Sequence, residues 1–288
     1  MRNTFIASLV EIAESNKNIC FMTGDLGYGA VEPFMAKHPN RFINAGIAEQ
    51  NMAGMAAGLA MAGKHVFTYS IGNFPTFRCA EQLRNDVDYH ELSVTTVSIG
   101  GGLAYGALGY SHHTIQDYGL VRLLPNTIIL SPCDPNEVVG CTEYITDRPQ
   151  PSYLRLGKTG EKNFSTKKKL HPGMVNLIGS SNSDKALLTT GAALQSVGDE
   201  TINGCDIYSV PIWGEKVSIR EIEYLISKYS TVIVLEDHLK AGGFYSWICE
   251  KLENKRLLIN LRSLAISSDV IGKVGSQIYL QKKYLKLS

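Results

Sequence analysis

The chain has 288 residues, of which 44% are hydrophobic and 19% are charged, and its formal net charge is +1. This composition is typical of a globular protein with room for two domains, and it excludes a largely disordered chain. The nearly neutral charge argues against nucleic acid or an anionic membrane as the main partner. We predict neither a secretory leader nor a membrane span, because no window approaches the roughly 20 consecutive apolar residues that a span needs.

The six cysteines form no CxxC pair, and several of them lie inside apolar runs. Cysteines in such positions are usually buried and reduced, so the sequence predicts a cytoplasmic protein without disulfides. No metal-binding spacing accompanies them, and we predict no metal site on this chain.

The first half of the chain alternates between strand and helix patterns, beginning with an amphipathic helix over Thr4 to Ser15. Strands are predicted at Ile19 to Thr23, Phe42-Ile43, Val66 to Tyr69, Val94 to Ile99, Thr127 to Leu130 and Tyr153 to Leu156. Further helices are predicted at Asn51 to Ala62, Phe77 to Val87 and Asn136 to Thr146. Strands separated by helices indicate a mainly parallel sheet with helices on both faces.

The segment 158–184 interrupts this alternation, because it is rich in Lys, Ser, Gly and Asn. The alternation then resumes with strands predicted at Ala186 to Thr189, Ile207 to Val210, Val232 to Leu235 and Leu257 to Asn260. Helices are predicted at Arg220 to Tyr229 and Tyr245 to Leu252. We therefore predict two α/β domains, residues 1–157 and 185–288, joined by a linker over 158–184.

The most informative segment is residues 44–63, where a strand end and a Gly-containing turn lead into a helix that begins near Glu49. In a parallel sheet this places Glu49 at the carboxyl end of a strand, where such folds bind ligands. Six of the eight residues from Ala53 to Ala60 are Ala or Gly, which permits another backbone to approach closely. From the pattern alone, a packed core helix with a solvated first-turn glutamate is the competing interpretation.

Three other segments carry chemically useful side chains. Asp25 follows a strand end, although an aspartate in a Gly turn is often only a cap. Phe74 and Phe77 are spaced so that they could enclose an apolar ring, although aromatic residues at this spacing are usually core. The glycine-rich loop 100–117 contains His112 and His113, and an imidazole can transfer protons near neutral pH.

Several motifs, in this order along the chain, resemble those of transketolases. They are Thr23-Gly24-Asp25-Leu26, Gly46-Ile47-Ala48-Glu49-Gln50 with its small-residue helix, Ile71-Gly72-Asn73-Phe74-Pro75-Thr76-Phe77, Gly100 to Asp117, Tyr153-Leu154-Arg155-Leu156, and Val232 to His238 with Gly242-Gly243. The resemblance extends over nearly the whole chain. It implies two doubly wound α/β domains, a thiamine-diphosphate pyrimidine-binding domain followed by a smaller transketolase C-terminal-like domain.

The resemblance implies a role for each matched residue. Glu49 would be catalytic, forming a hydrogen bond with a ring nitrogen of the cofactor's aminopyrimidine. The side chains that would bind the cofactor around it are Asp25, Ile71, Phe74 and Phe77. His112 would be catalytic and face the substrate, with His113 as a less certain neighbour. Arg155 would grip a substrate phosphate through a bidentate contact, while a structural ion pair at the domain boundary is its alternative.

The sequence also departs from sugar-phosphate transketolases. Leu108 stands where they usually have an aspartate that contacts a substrate hydroxyl, and Gly100 and Gly29 stand near positions that contact phosphate. The usual pentose- and hexose-phosphate substrates are therefore in doubt. The Gly-Asp-Gly motif that anchors magnesium and the cofactor's diphosphate is absent from the sequence.

The absent motif predicts a split enzyme. Mg²⁺ and the diphosphate would be bound by an N-terminal transketolase subunit, with this chain forming a homodimer or a heterotetramer. The implied reaction transfers a two-carbon ketol unit from a ketose, or its phosphate, to an aldose acceptor. The alternatives are the beta subunit of a 2-oxo-acid dehydrogenase, a deoxyxylulose-phosphate-synthase-like enzyme that uses pyruvate, and a non-catalytic partner-binding subunit.

Overall fold

The computed structural model describes residues 1–166, 169–196 and 204–287. In the first half the helices are α1 (Arg2–Ser15), α2 (Glu32–Lys37), α3 (Glu49–Met61), α4 (Ala80–Gln82), α5 (Asp117–Val121) and α6 (Pro135–Asp147). The strands there are β1 (Ile19–Thr23), β2 (Phe42–Asn44), β3 (His65–Ile71), β4 (Val94–Ile99), β5 (Ile128–Leu130) and β6 (Ser152–Leu156).

In the second half the described strands are β7 (Asn176–Gly179), β8 (Lys185–Thr189), β9 (Asp206–Ser209), β10 (Ile212–Trp213), β11 (Thr231–Leu239), β12 (Leu261–Ile266) and β13 (Leu285–Leu287). The described helices are α7 (Arg220–Lys228), α8 (Phe244–Lys251) and α9 (Gln277–Tyr284).

These strands form two sheets. The first has seven strands in the order β10-β5-β6-β4-β3-β1-β2, and the second has six in the order β13-β12-β11-β8-β9-β7. All pairs are parallel except those made by β10 in the first sheet and by β13 and β7 in the second. Strands β1 and β4 are buried along their whole length, as expected when helices cover both faces of a parallel sheet. The predicted α/β fold with mainly parallel sheets is confirmed.

Two strands connect the halves of the chain more closely than a simple linker would. Strand β10, from the second half, adds antiparallel to the edge of the first sheet, where Ile212 pairs with Leu130. Strand β7 lies inside the range 158–184 and pairs with β9 in the second sheet. The division into domains 1–157 and 185–288 therefore stays a prediction, and the two sheets are joined by strand pairing as well as by the chain.

Two predicted elements are wrong in detail. Residues Leu257 to Asn260 form part of a 3-10 helix rather than a strand, and the strand begins at Leu261. The side chain of Asn254 accepts a hydrogen bond from the amide of Arg256, which favours a helical turn over an extended chain. The single helix predicted over Phe77 to Val87 is instead a 3-10 turn, a short α-helix and a π-helical segment.

Strand β11 ends in a buried carboxyl group, Glu236, which lies at the amino end of α8. Its side chain accepts hydrogen bonds from the amides of Phe244 at 2.7 Å and Tyr245 at 3.2 Å. Burial raises the pKa of Glu236 to about 8, and this outweighs the two amide donors, which act in the opposite direction. The folded protein therefore holds a proton on Glu236 at neutral pH.

This burial predicts a pH-dependent stability. Because the folded pKa lies above the ordinary value of 4.5, the folded state binds more protons than the unfolded chain between these values, and stability falls as the pH rises toward 8. In Glu236→Gln, which has no carboxyl group to ionise, this loss should disappear. The free energy of unfolding of the variant should gain on the original protein by about 1.4 kcal/mol per pH unit.

Urea denaturation at about pH 5.5 and about pH 8 measures this gain. The exposed Glu253 on the loop after α8 provides the control Glu253→Gln, which should leave the pH dependence unchanged. Parallel pH dependences for the original protein and Glu236→Gln would contradict the assignment.

Candidate active site

Glu49 begins helix α3 at the carboxyl edge of the first sheet. Strand β2 ends at Asn44, and the turn to the helix passes through Gly46, whose φ of +73° is a conformation that glycine adopts without strain. Despite its place in a first helical turn, Glu49 is only 3% exposed. A Cβ atom on Gly24, at the end of β1, would lie 3.4 Å from Glu49 Cγ, so the carboxylate lies closely against the strand end. The structure thus excludes a solvated first-turn glutamate.

Both carboxylate oxygens of Glu49 have partners. The hydroxyl of Ser70, buried on β3, donates to Oε1 at 3.2 Å, and Arg78 Nη1 donates to Oε2 at 3.1 Å. The Ser70 contact is buried, whereas the Arg78 side chain is 53% exposed. Arg78 is therefore the partner that can leave with little loss, because its guanidinium can be hydrated in place of the ion pair.

A row of aromatic and cationic groups extends from Glu49 along this edge. The Arg78 guanidinium lies 4.3 Å from the centre of the Phe74 ring, and Phe74 contacts the His112 ring edge-to-face at 5.3 Å between centroids. His112 lies 6.5 Å from the ring of Tyr105, and the ammonium of Lys158 lies 4.5 Å from that same ring. These groups form one continuous surface that is partly open to solvent.

The remaining predicted cofactor residues lie around this surface with different degrees of exposure. Asp25 follows β1 with φ +58°, and its Oδ1 accepts hydrogen bonds from Asn44 Nδ2 and the Tyr28 hydroxyl, both at 2.9 Å. These bonds, that of Asn44 first, lower the pKa of Asp25. Ile71 ends β3 half-buried, and Phe77 is 45% exposed on the turn before α4.

His113 points away from His112 although the two are adjacent. Its side chain is fully buried, its Nε2 lies 3.3 Å from the carbonyl oxygen of Gly106, and burial lowers its pKa. His112 is half-buried, and its Nδ1 lies 3.0 Å from the Ser111 hydroxyl oxygen. Only His112 therefore faces the row of aromatic groups with a ring nitrogen that a substrate could reach, and a substrate contact for His113 has no support in this arrangement.

Arg155 lies in a buried cluster between the two sheets. Its Nε donates to Asp117 Oδ2 at 2.7 Å and its Nη1 to Asp237 Oδ1 at 2.5 Å. Nη1 also donates to the Tyr118 hydroxyl, and Nη2 donates to the carbonyl oxygen of Thr114 at 2.7 Å. With these donors engaged and the side chain 1% exposed, Arg155 has the geometry of the structural ion pair rather than of a phosphate contact.

Four residues of the site were not predicted from the sequence. They are Ser70, Asn73, Arg78 and Lys158. A polar Ser70 inside an apolar strand, and a lysine two residues after a strand end, were weak signals that could have been noticed. Arg78 gave no such signal, because its ion pair with Glu49 depends on how the turn after β3 folds back over α3.

The described residues contain a cavity of about 930 Å³ elsewhere, between the loops that precede β4 and β5. These loops are at the amino ends of the strands, on the opposite edge from Glu49. The surface around Glu49 is not an enclosed cavity but an open wall. In the same described part of the chain, no group of three or more His, Cys, Asp or Glu side chains could hold a metal ion. None of the described helices is long and apolar enough to cross a membrane.

Comparison with known proteins decides the family. Residues 1–160, more than half of the chain, match the transketolase, pyrimidine binding domain. The chain belongs to the transketolase family. The family and the fold expected from the sequence motifs are thereby confirmed.

Similarity to other transketolase-family chains extends over nearly the full length. A Methanocaldococcus jannaschii protein with the provisional name transketolase C-terminal section is 31% identical, over 99% of this chain and 91% of that protein. One of the apulose-4-phosphate transketolase subunits of Phocaeicola vulgatus is 28% identical, over 94% and 89%. A solved structure described as a split gene transketolase, inactive beta4 tetramer, matches with a TM-score of 0.80 and 26% identity, over 98% and 92%. This transketolase-family chain is therefore of the C-terminal, separate-subunit type.

Transketolases use thiamine diphosphate, and the residues around Glu49 fit its pyrimidine end. A buried carboxylate, the adjoining Phe74 ring and the closely placed Gly24 backbone can receive a flat aminopyrimidine. The described part of this transketolase-family chain offers no cluster that would hold the metal at the diphosphate end.

Proposed function

We propose that this chain is the pyrimidine-binding subunit of a split, thiamine-diphosphate-dependent transketolase. It would act with an N-terminal subunit that supplies the diphosphate and Mg²⁺ site, and it would transfer a two-carbon ketol unit from a ketose or ketose phosphate to an aldose acceptor. The proposal rests above all on one observation: a buried glutamate, an aromatic ring and a half-buried histidine meet on an open wall of the molecule. Such a wall needs a second polypeptide to become an enclosed site.

Thiamine diphosphate supplies, when bound, the carbanion chemistry by which a carbon–carbon bond is broken and remade. Glu49 would hold or release a proton at Oε2, facing a ring nitrogen of the aminopyrimidine in the place that the Arg78 guanidinium now occupies. Phe74 would present its ring to the pyrimidine. His112 would move protons at substrate oxygens through Nε2, because Nδ1 is engaged by Ser111.

Lys158 is our candidate for the contact to an anionic group of the substrate. It follows β6 directly, on the same side as His112, and its ammonium lies over the Tyr105 ring. Burial lowers the pKa of Lys158, and the neighbouring Glu161 acts in the opposite direction. A partly desolvated ammonium beside the catalytic edge can pair with a phosphate or sulfonate, which the buried Arg155 cannot reach.

The function is tested by co-purifying this chain with the N-terminal subunit that carries the Gly-Asp-Gly motif. We expect ketol transfer that depends on thiamine diphosphate and Mg²⁺, and no transfer when either polypeptide is assayed alone. A screen of phosphorylated and unphosphorylated ketoses, with aldehydes as acceptors, would define the substrates. In Lys158→Met, we expect KM to rise by about tenfold or more for anionic donors and to change little for neutral ones.

Consumption of pyruvate by the complex, without ketol transfer, would replace this proposal with a deoxyxylulose-phosphate-synthase-like or dehydrogenase-type reaction. A stable complex that binds thiamine diphosphate but converts none of the donors would favour the non-catalytic subunit.

A further inference from the structure

The amide side chain of Asn73 lies beneath the loop that carries His112. Its Nδ2 donates to the carbonyl oxygen of Ser111 at 3.3 Å and to that of His113 at 2.9 Å. One amide nitrogen therefore bonds the carbonyl groups on both sides of His112. Since both partners are carbonyl acceptors, the orientation of the Asn73 amide is determined, with its NH₂ group facing the loop.

Asn73 is itself held in a rigid turn. Its own carbonyl oxygen accepts from the amide of Phe77 at 3.0 Å and from the hydroxyl of Thr76 at 3.2 Å. The Thr76 hydroxyl also bonds the carbonyl oxygen of Gly72, and Thr76 is fully buried. The amide thus extends from a fixed base, whereas the loop that it bonds is rich in glycine and includes half-exposed residues.

The sequence position of Asn73 links this bond to the cofactor pocket. The next residue, Phe74, presents its ring to both Arg78 and His112. The same turn therefore sets the aromatic wall and, through Asn73, the backbone on either side of the histidine. A side chain that only stabilised the loop would need neither this adjacency nor two bonds that flank one residue.

We propose that Asn73 is a positioning residue that fixes the His112 imidazole against Phe74, with Nε2 directed to the substrate. This inference rests on the proposed function for the role of His112, but the positioning itself concerns only this chain. Without the two bonds, the backbone at residues 111–113 would lose its anchor, and His112 would sample positions away from the Phe74 ring. A misplacement of about 1 Å can lower a catalytic rate by about 10²-fold.

The first test uses the isolated full chain and diethyl pyrocarbonate as a probe of imidazole accessibility. Modification of each histidine is followed by peptide mass spectrometry, with the exposed His90 as the internal reference. In Asn73→Ala we expect the rate at His112 relative to His90 to rise by about fivefold or more, because the loop opens locally. The control Asn260→Ala also removes one amide-to-carbonyl bond, to Tyr229 far from the site, and should leave the ratio unchanged.

The second test uses the complex with the N-terminal subunit. For Asn73→Ala we expect kcat to fall by about 10- to 100-fold and the limb of its pH profile that reports His112 to shift. The affinity for thiamine diphosphate should stay within about threefold, since Glu49 and Phe74 remain in place. Asn73→Asp, which keeps the shape but removes the donor, should be at least as impaired.

An unchanged ratio of His112 to His90 modification in a folded Asn73→Ala chain would overturn the positioning role. So would an impaired complex whose pH profile keeps its shape. If the unaltered complex shows no ketol transfer, the proposed function fails, while the modification ratio still decides whether Asn73 positions His112.

Discussion

Substitution of Glu49 by Gln should abolish ketol transfer by the reconstituted complex, with kcat lower by at least about 10²–10⁴-fold, while this chain folds normally. The amide of Gln has nearly the shape of the carboxylate and can still accept the bond from Ser70. It cannot give and retrieve a proton at the position of Oε2. The substitution therefore removes the proton chemistry and leaves the packing of α3 against the sheet.

Normal folding is expected because the loss of the ion pair is small. Arg78 is 53% exposed, so water can solvate its guanidinium once the Glu49 charge is gone. Exposed or half-exposed pairs of this kind contribute about 0–1 kcal/mol. Thermal denaturation of Glu49→Gln should therefore give a curve close to that of the original chain.

The measurement compares steady-state rates at saturating thiamine diphosphate, with Glu11→Gln on the exposed face of α1 as the control. The control should keep the original kcat. Near-normal turnover by Glu49→Gln would refute the catalytic assignment and, with it, the proposed function of this wall.

Replacing Arg155 by Met should cause the largest loss of stability, about 3–5 kcal/mol in the free energy of unfolding. The substitution leaves two buried carboxylates, Asp117 and Asp237, without their shared counter-ion. Asp117 also accepts a bond from the Tyr153 hydroxyl at 2.7 Å, so it cannot turn toward solvent. Because Asp117 and Asp237 come from different halves of the chain, the loss should weaken the contact between the two sheets.

Chemical denaturation measures this effect, and a triple variant tests its cause. Adding Asp117→Asn and Asp237→Asn to Arg155→Met removes the stranded charges, and part of the lost stability should return. The exposed pair of Lys286 with Asp269 provides the control, since Lys286→Met should cost less than about 1 kcal/mol.

The outcome also separates the two roles considered for Arg155. A residue that grips substrate would raise KM when replaced by Lys, with little effect on folding. A structural counter-ion should destabilise the chain even as Lys, because an ammonium cannot reproduce the fork of bonds that the guanidinium makes. A stable Arg155→Met chain with a raised KM would contradict the structural assignment.

The sequence alone determined the elements and the place of the central carboxylate. Strand and helix patterns are local, since they depend on the spacing of apolar side chains over a few residues. Strands β1 and β4 accordingly have the predicted bounds. The position of Glu49 at a strand-to-helix junction followed from the same local pattern, and in a parallel sheet such junctions meet at one edge.

The tertiary structure decided which of the candidate side chains share that edge. Arg155 meets Asp237, a residue 82 positions away, and no local pattern reveals such a partner. The different fates of His112 and His113 depend on how the glycine-rich loop turns, and the anchor of that loop, Asn73, is about 40 residues distant. The addition of β10 to the first sheet is likewise a long-range pairing. Contacts of this kind depend on how whole elements pack, so the sequence pattern proposed the chemistry while the fold selected the residues that can perform it.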